Sequence, residues 1–281
     1  MSERMIRVKD IELCTDSFGN PAHPAVLLIM GATASMLWWE EDFCRLLAEK
    51  GFFVIRYDNR DTGRSVSYEP GRPGYTFEDM ADDAIAVLDA YGVKKAHFTG
   101  MSMGGMLVQI IALRHPDRVQ GITLVSTMYF GPGWEELPQM EAKVEAFFNS
   151  MGEMDWSDPQ TLLRNAVDKW RILAESKHPF DEERVTALAE RDIERALNYS
   201  SSFNHSYVTG GESYLGRYGE IQTPALVIHG TKDPIIPYEH GEALRDSIPG
   251  AELLTLEGIG HELPRAEWPA IIGGIAKYAA L

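Results

Sequence analysis

The sequence predicts an α/β protein in which a mostly parallel central sheet, flanked by helices, is interrupted by a helical insertion. Three observations carry this. Short β-branched runs alternate with longer amphipathic runs through residue 128, the rhythm of a parallel sheet. From about Tyr129 to Tyr218 that rhythm gives way to helical periods rich in Trp, Phe, Met and acidic residues. It resumes at TPALVIHG, residues 223–230. The expected division is a core of residues 1–128 and 219–281 and a helical cap of residues 129–218, a size common for a small domain.

Taken in order, PAVLLIM (24–30) is the first strong core strand, a helix pattern lies near 36–50, and FFVIRYD (52–58) is the next strand. The helix in TFEDMADDAIAVLDAYG begins with a Thr76/Asp79 capping pattern. It places Met80, Ala84, Val87, Leu88 and Tyr91 on one face and stops at Gly92. KAHFTG (95–100) is a strand, and the apolar run Met106 to Leu113 continues as a helix until His-Pro-Asp; VQGITLVST (119–127) is again strand-like. After the insertion come the strands TPALVIHG and AELLTLEG (251–258) and a last helix from Trp268 to Ala280. Cys14 and Cys44 fall in a strand-like and a helix-like run without metal-site spacing, and are expected to be buried free thiols.

The totals exclude several roles. A chain of 281 residues, 44% hydrophobic, can bury a full core. Its formal charge of -16 and pI near 4.9 would repel phosphate backbones and anionic lipid surfaces. Nucleic acid and membrane are therefore excluded as partners, and neutral or cationic substrates are expected. The opening MSERMIRVKDIEL has no uninterrupted apolar stretch, and no segment approaches 18 consecutive apolar residues. A cytoplasmic protein is expected, its oligomeric state left open.

Chemistry concentrates at HFTGMSMGGMLVQI, residues 97–110, where three glycines stand at a strand-to-helix junction. Glycine within a helix costs about 1 kcal/mol relative to alanine, so Gly100, Gly104 and Gly105 need a steric reason. Gly100-Met101-Ser102-Met103-Gly104 fits G-x-S-x-G, a sharp turn that holds its serine in a strained conformation above the sheet. The turn brings strand and helix so close that β-carbons at 100 and 104 would collide. The Met103 amide, at the start of the helix, would point toward a developing oxyanion. A second donor is expected from the segment after the first core strand, IMGATASMLWW (29–39), with Ala32 N–H nominated.

Serine at neutral pH needs a base, and the base an orienting carboxylate. Of eight histidines, His261 follows the last strand in LEGIGHELP, where a Gly258/Gly260 loop could place an imidazole over the sheet edge. The order nucleophile, acid, histidine asks for a carboxylate at a strand end between Ser102 and His261, and LVIHGTKDPIIP supplies Asp233. Asp58 and Asp61 in RYDNRDTGRS are rivals, read instead as structural ion pairs with Arg60 and Arg64.

Met30-Gly31 after an early strand, YDNRDTGRS, GMSMGG, HGTKDPIIP and GIGH, in this order, resemble the α/β-hydrolase fold family over essentially the whole chain. IRYDNRDTGRS, the KWRIL run (169–173) with PFD after it, and GIGHELP resemble more closely the aclacinomycin methylesterase group of bacterial carboxylesterases. The resemblance implies a serine esterase acting on a small-molecule ester, with Ser102, Asp233 and His261 as triad and Ala32 and Met103 as oxyanion donors. No metal or organic cofactor is expected, since backbone amides supply the electrophilic assistance. Other chemistries on the same triad stay open, cofactor-free perhydrolysis or carbon-carbon bond hydrolysis, as does non-catalytic small-molecule binding.

The insertion offers Trp134, Phe147, Phe148, Trp156, Trp170, Tyr199, Phe203 and Tyr207, most of them expected in its core and some on a substrate pocket. Gly31, Trp38, Trp39 and Met128 are the expected pocket residues beside the reacting carbon, with one of the two adjacent tryptophans facing the pocket.

Overall fold

The computed structural model describes residues 3–151, 154–174 and 177–281. Eight strands form one sheet. They are β1 (Arg4–Val8), β2 (Ile11–Phe18), β3 (Ala25–Ile29), β4 (Phe53–Tyr57), β5 (Ala96–Met101), β6 (Val119–Val125), β7 (Ala225–Gly230) and β8 (Glu252–Leu256). Their spatial order is β1-β2-β4-β3-β5-β6-β7-β8. The β1-β2 and β2-β4 pairs are antiparallel and all later pairs parallel.

Both faces of the sheet are covered, which is why β3 reads as a continuous apolar run and every residue of β3 and β4 is buried; the one charge in β4, Arg56, pairs with Asp16 of β2 at 3.0 Å. The two-residue side-chain period sorts them. Leu27, Ile55 and Phe98, paired in register across β3, β4 and β5, point into one core with α2 (Phe77–Ala90), α3 (Met103–Arg114) and α7 (Tyr238–Ser247). Val26, Leu28 and Val54 point into the other, with α1 (Glu41–Glu49) and α8 (Trp268–Ala279). The α2 start is the expected capping box: Thr76 Oγ1 accepts from Asp79 N–H and the Asp79 carboxylate accepts from Thr76 N–H.

Between β6 and β7 lie α4 (Ala142–Ser150), α5 (Pro159–Ala174) and α6 (Glu182–Arg195), with no strand among the described residues. These helices share a core with the sheet: Ala166, Val167 and Trp170 of α5 and Val185 and Ala189 of α6 pack in the same cluster as Val26, Met30 and Met101. Part of the aromatic content read as a core internal to the insertion therefore covers the sheet. Cys14 and Cys44 are free and buried, and burial pushes both thiols up to about 12. Among the described residues, no helix is long and apolar enough to cross a membrane.

Candidate active site

Ser102 caps α3 at the carboxyl end of β5, a strand flanked by β3 and β6 near the middle of the sheet. Its backbone sits at φ 54°, ψ -122°, a region L-residues rarely adopt. The surroundings hold it there. Ser102 N–H donates to Val125 O at 2.9 Å, and Ser102 O accepts from Gly105 N–H at 2.8 Å and Thr127 Oγ1 at 2.7 Å.

The glycines answer a clash, though with different partners than the spacing suggested. A β-carbon on Gly100 would stand 2.1 Å from the Gly104 carbonyl oxygen, and one on Gly104 would stand 2.3 Å from Ile29 O of β3. The strand therefore meets the helix backbone, and the helix in turn meets the neighbouring strand.

The loop after β3 runs across Ser102. A β-carbon on Gly31 would lie 3.1 Å from Ser102 Cβ, and Ala32 beside it is exposed into a cavity of about 990 Å³. Gly31, Ala32, Ser102 and His261 all line that cavity. Met103 follows Ser102 at the first turn of α3, where helix amides have no intrahelical acceptor. Ser102 Oγ has no hydrogen-bond partner among the described residues; in ligand-free hydrolases the serine-to-histidine contact commonly tightens only on substrate binding.

His261 Nδ1 lies 2.7 Å from Asp233 Oδ2, and both residues are buried. The other oxygen, Oδ1, accepts from the amides of Ile235 (3.1 Å) and Ile236 (2.8 Å). Burial opposes ionisation of Asp233. The His261 charge and hydrogen bonds to the carboxylate outweigh it and hold this carboxyl well below the usual range. His229 Nε2 is 3.5 Å from Asp233 Oδ2 but 2.8 Å from Ile236 O, so its N–H serves the carbonyl and leaves Oδ2 to His261.

The loop bearing His261 is pinned rather than free. His261 N–H donates to Leu173 O of α5 at 2.8 Å, and a β-carbon on Gly260 would stand 2.0 Å from Ala174 O. Gly260 admits the end of α5 against the loop, so the insertion helps fix the imidazole.

Among the described residues, His261 is the one histidine on the cavity wall. Six of its seven competitors have structural partners, among them His97 with Thr123 Oγ1 at 2.8 Å, His115 with Asp82 at 2.7 Å, and His240, which accepts from Tyr129 N–H at 3.3 Å; the seventh, His23, is exposed in the turn before β3. The rival aspartates are structural, with partners other than the expected ones. Asp58 accepts from the Met36 and Arg64 amides and pairs with Arg195 of α6 at 2.6 Å. Asp61 accepts from Tyr75 OH and Asn204. Arg60 instead forks onto Asp83.

Three expected pocket residues lie elsewhere. Trp38 stacks on Trp170 at 4.2 Å and donates Nε1 to Asp192, behind the cavity wall. Trp39 is fully buried against Phe43. Met128 contributes its carbonyl to Gln109 and does not line the cavity. The segment after Ser35 turns as a short 3-10 helix, which points the adjacent tryptophans inward beneath α6. The wall is instead built by the insertion, through Phe148, Trp156, Trp170, Phe203 and Tyr207 among others.

Sequence reasoning missed a layer behind Ala32. Thr33, itself at φ 60°, donates its N–H to His205 Nδ1 at 3.0 Å, and His205 Nε2 meets Arg60 O at 2.8 Å. Burial keeps His205 neutral, which fits the acceptor role of Nδ1. Asn59 Nδ2 donates to Met30 O at 3.1 Å, so the turn after β4 buttresses the loop after β3 from the other side. Lys169 Nζ, on α5, donates to Thr33 Oγ1 at 3.0 Å. Among the described residues, no cluster of three or more His, Cys, Asp or Glu side chains could hold a metal ion.

Known proteins share this plan. A family model for the alpha/beta hydrolase fold matches residues 24–264. The chain is 33% identical to rhodomycin D methylesterase DauP of Streptomyces sp. (strain C5), over 99% of this chain and 98% of that protein. It is 31% identical to rhodomycin D methylesterase DnrP of Streptomyces peucetius, again over 99% and 98%. A solved hydrolase from Pseudomonas aeruginosa PA01 superposes with a TM-score of 0.72 at 26% identity, covering 99% of this chain and 98% of that one. With its sheet order, its strained serine at the β5-α3 turn and a family match across most of its length, the chain belongs to the α/β-hydrolase fold family.

Proposed function

We propose that the chain is a serine hydrolase that cleaves carboxylic esters, methyl esters of hydrophobic or aromatic acids foremost. One observation carries the reading: His261, 2.7 Å from Asp233, lines the same cavity as a serine held at φ 54°. Ser102 Oγ attacks the ester carbonyl while His261 Nε2 takes its proton. Asp233, bonded to Nδ1, fixes the tautomer and stabilises the imidazolium. The amides of Ala32 and Met103 receive the oxyanion. His261 returns the proton to the departing alcohol, and water then hydrolyses the acyl-enzyme by the same route. The aromatic wall suits an apolar acid, and the relatives named as methylesterases support a small alcohol.

The test is hydrolysis of p-nitrophenyl acetate through decanoate and of aromatic methyl esters by wild type and Ser102→Ala, with organophosphate labelling alongside. Loss of both activity and labelling in the variant is the expected result. Equal activity in the two proteins would remove Ser102 from the mechanism.

A further inference from the structure

The cavity wall carries one lysine or arginine among the described residues and no aspartate or glutamate, in a chain with 42 acidic residues. That cation is Lys169, 5% exposed and contributed by α5. An ammonium has three protons to donate. Nζ donates one to Thr33 Oγ1 and lies 5.4 Å from the Trp170 ring centroid. No carboxylate of the described residues is within ion-pair distance. Asp192, whose charge acts on Lys169 from α6, accepts from Trp38 Nε1 at 2.8 Å. An ammonium kept from water without full compensation is costly, and the space it faces is where a ligand would lie.

We propose that Lys169 is a subsite for an anionic oxygen of the substrate, a carboxylate or phenolate placed beside the reacting ester. The proposal deepens the esterase reading and rests on it for the kinetic half of its test. It also reverses the expectation drawn from net charge: the outer surface repels anions, but the cavity presents them a single desolvated cation. Thr33 adjoins Ala32, so an anion on Lys169 would sit close to the oxyanion donors and help orient the scissile carbonyl. A lysine serving only as a tie to Thr33 would make no distinction between charged and neutral ligands.

The experiment compares the monomethyl and dimethyl esters of isophthalic, terephthalic and 2,6-naphthalenedicarboxylic acids, which vary the reach of a free carboxylate at a constant scissile bond. A hydrogen bond to a charged group contributes about 1.5–3 kcal/mol, so the best monoacid should exceed its diester by about tenfold or more in kcat/KM. In Lys169→Met that ratio should collapse, the loss falling on KM. A ratio near one in the wild type, or one unchanged in Lys169→Met, would overturn the proposal.

A second arm needs no turnover. In Ser102→Ala, calorimetric binding of 2,6-naphthalenedicarboxylate is compared with that of its diamide, with and without Lys169→Met. Preference for the dianion that Lys169→Met abolishes supports the subsite; equal affinity overturns it. If no ester is hydrolysed at all, the esterase reading fails while this arm still decides Lys169. Should Lys169→Met fail to fold, the preference of the Ser102→Ala protein for dianion over diamide remains decisive.

Discussion

Replacing Ser102 by glycine should stabilise the protein while abolishing its activity, and replacing it by alanine should abolish activity without that gain. At φ 54°, ψ -122° a residue with a β-carbon stores roughly 1–3 kcal/mol of backbone strain. Glycine releases it but costs about 0.5–1 kcal/mol in added freedom of the unfolded chain. The net is a gain of roughly 0.5–2 kcal/mol for Ser102→Gly over Ser102→Ala. Alanine keeps the β-carbon and the strain, and it removes an Oγ that has no hydrogen-bond partner among the described residues, so its stability should match wild type within about 0.5 kcal/mol. Urea titrations followed by circular dichroism would show the gain as a higher midpoint at equal slope. In thermal melts the difference is about 1–4 °C for a chain of this size. Both variants should lose about 10⁴-fold or more in kcat toward an activated ester. A Ser102→Gly protein no more stable than Ser102→Ala would show that the elbow stores no strain; activity in either would show that Ser102 is not the nucleophile.

Other perturbations separate the remaining parts. Asp233→Asn should lower kcat by about 10³–10⁴-fold with little change in KM, because the imidazole loses its orienting acceptor. The folded carboxyl is held below its ordinary value of 3.8, so its contribution is complete above that value and lost as the pH falls below it. The stability gap between wild type and Asp233→Asn should be constant from pH 5 to 7 and narrow below pH 4; a gap that widens in acid would contradict this. His205→Ala should leave the Thr33 N–H unsatisfied, costing about 1–3 kcal/mol of stability and lowering kcat more than it raises KM; an effect confined to stability would deny His205 a positioning role. Gly100→Ala should destabilise by more than about 4 kcal/mol because backbone atoms block the new methyl group, whereas Gly273→Ala on α8, where nothing lies within 4 Å, should stabilise by about 1 kcal/mol. Burial pushes the Lys169 ammonium down to about 8 against the pull of Asp192, with His205, also facing it, held neutral by burial. Affinity for 2,6-naphthalenedicarboxylate should therefore fall as pH rises past 8, and affinity constant from pH 6 to 9.5 would refute the charge requirement.

What the amino-acid sequence determined by itself was local. The G-x-S-x-G turn, the Thr76/Asp79 cap and the placement of Asp233 and His261 at strand ends depend on neighbours within a few residues, where spacing and backbone sterics leave few alternatives. The buried strands were legible because a sheet covered on both faces demands predominantly apolar runs. The tertiary structure decided everything that joins distant segments. Lys169 meets Thr33 across 136 positions and His205 meets it across 172, contacts set by how α5 and the residues after α6 dock on the sheet. Trp38 and Trp39 show the same limit at short range. A single 3-10 turn is too short to show a period that assigns side chains to a face, so tertiary packing decided both, Trp38 against Trp170 of α5 and Trp39 against Phe43 of α1, and the cavity wall fell to the insertion.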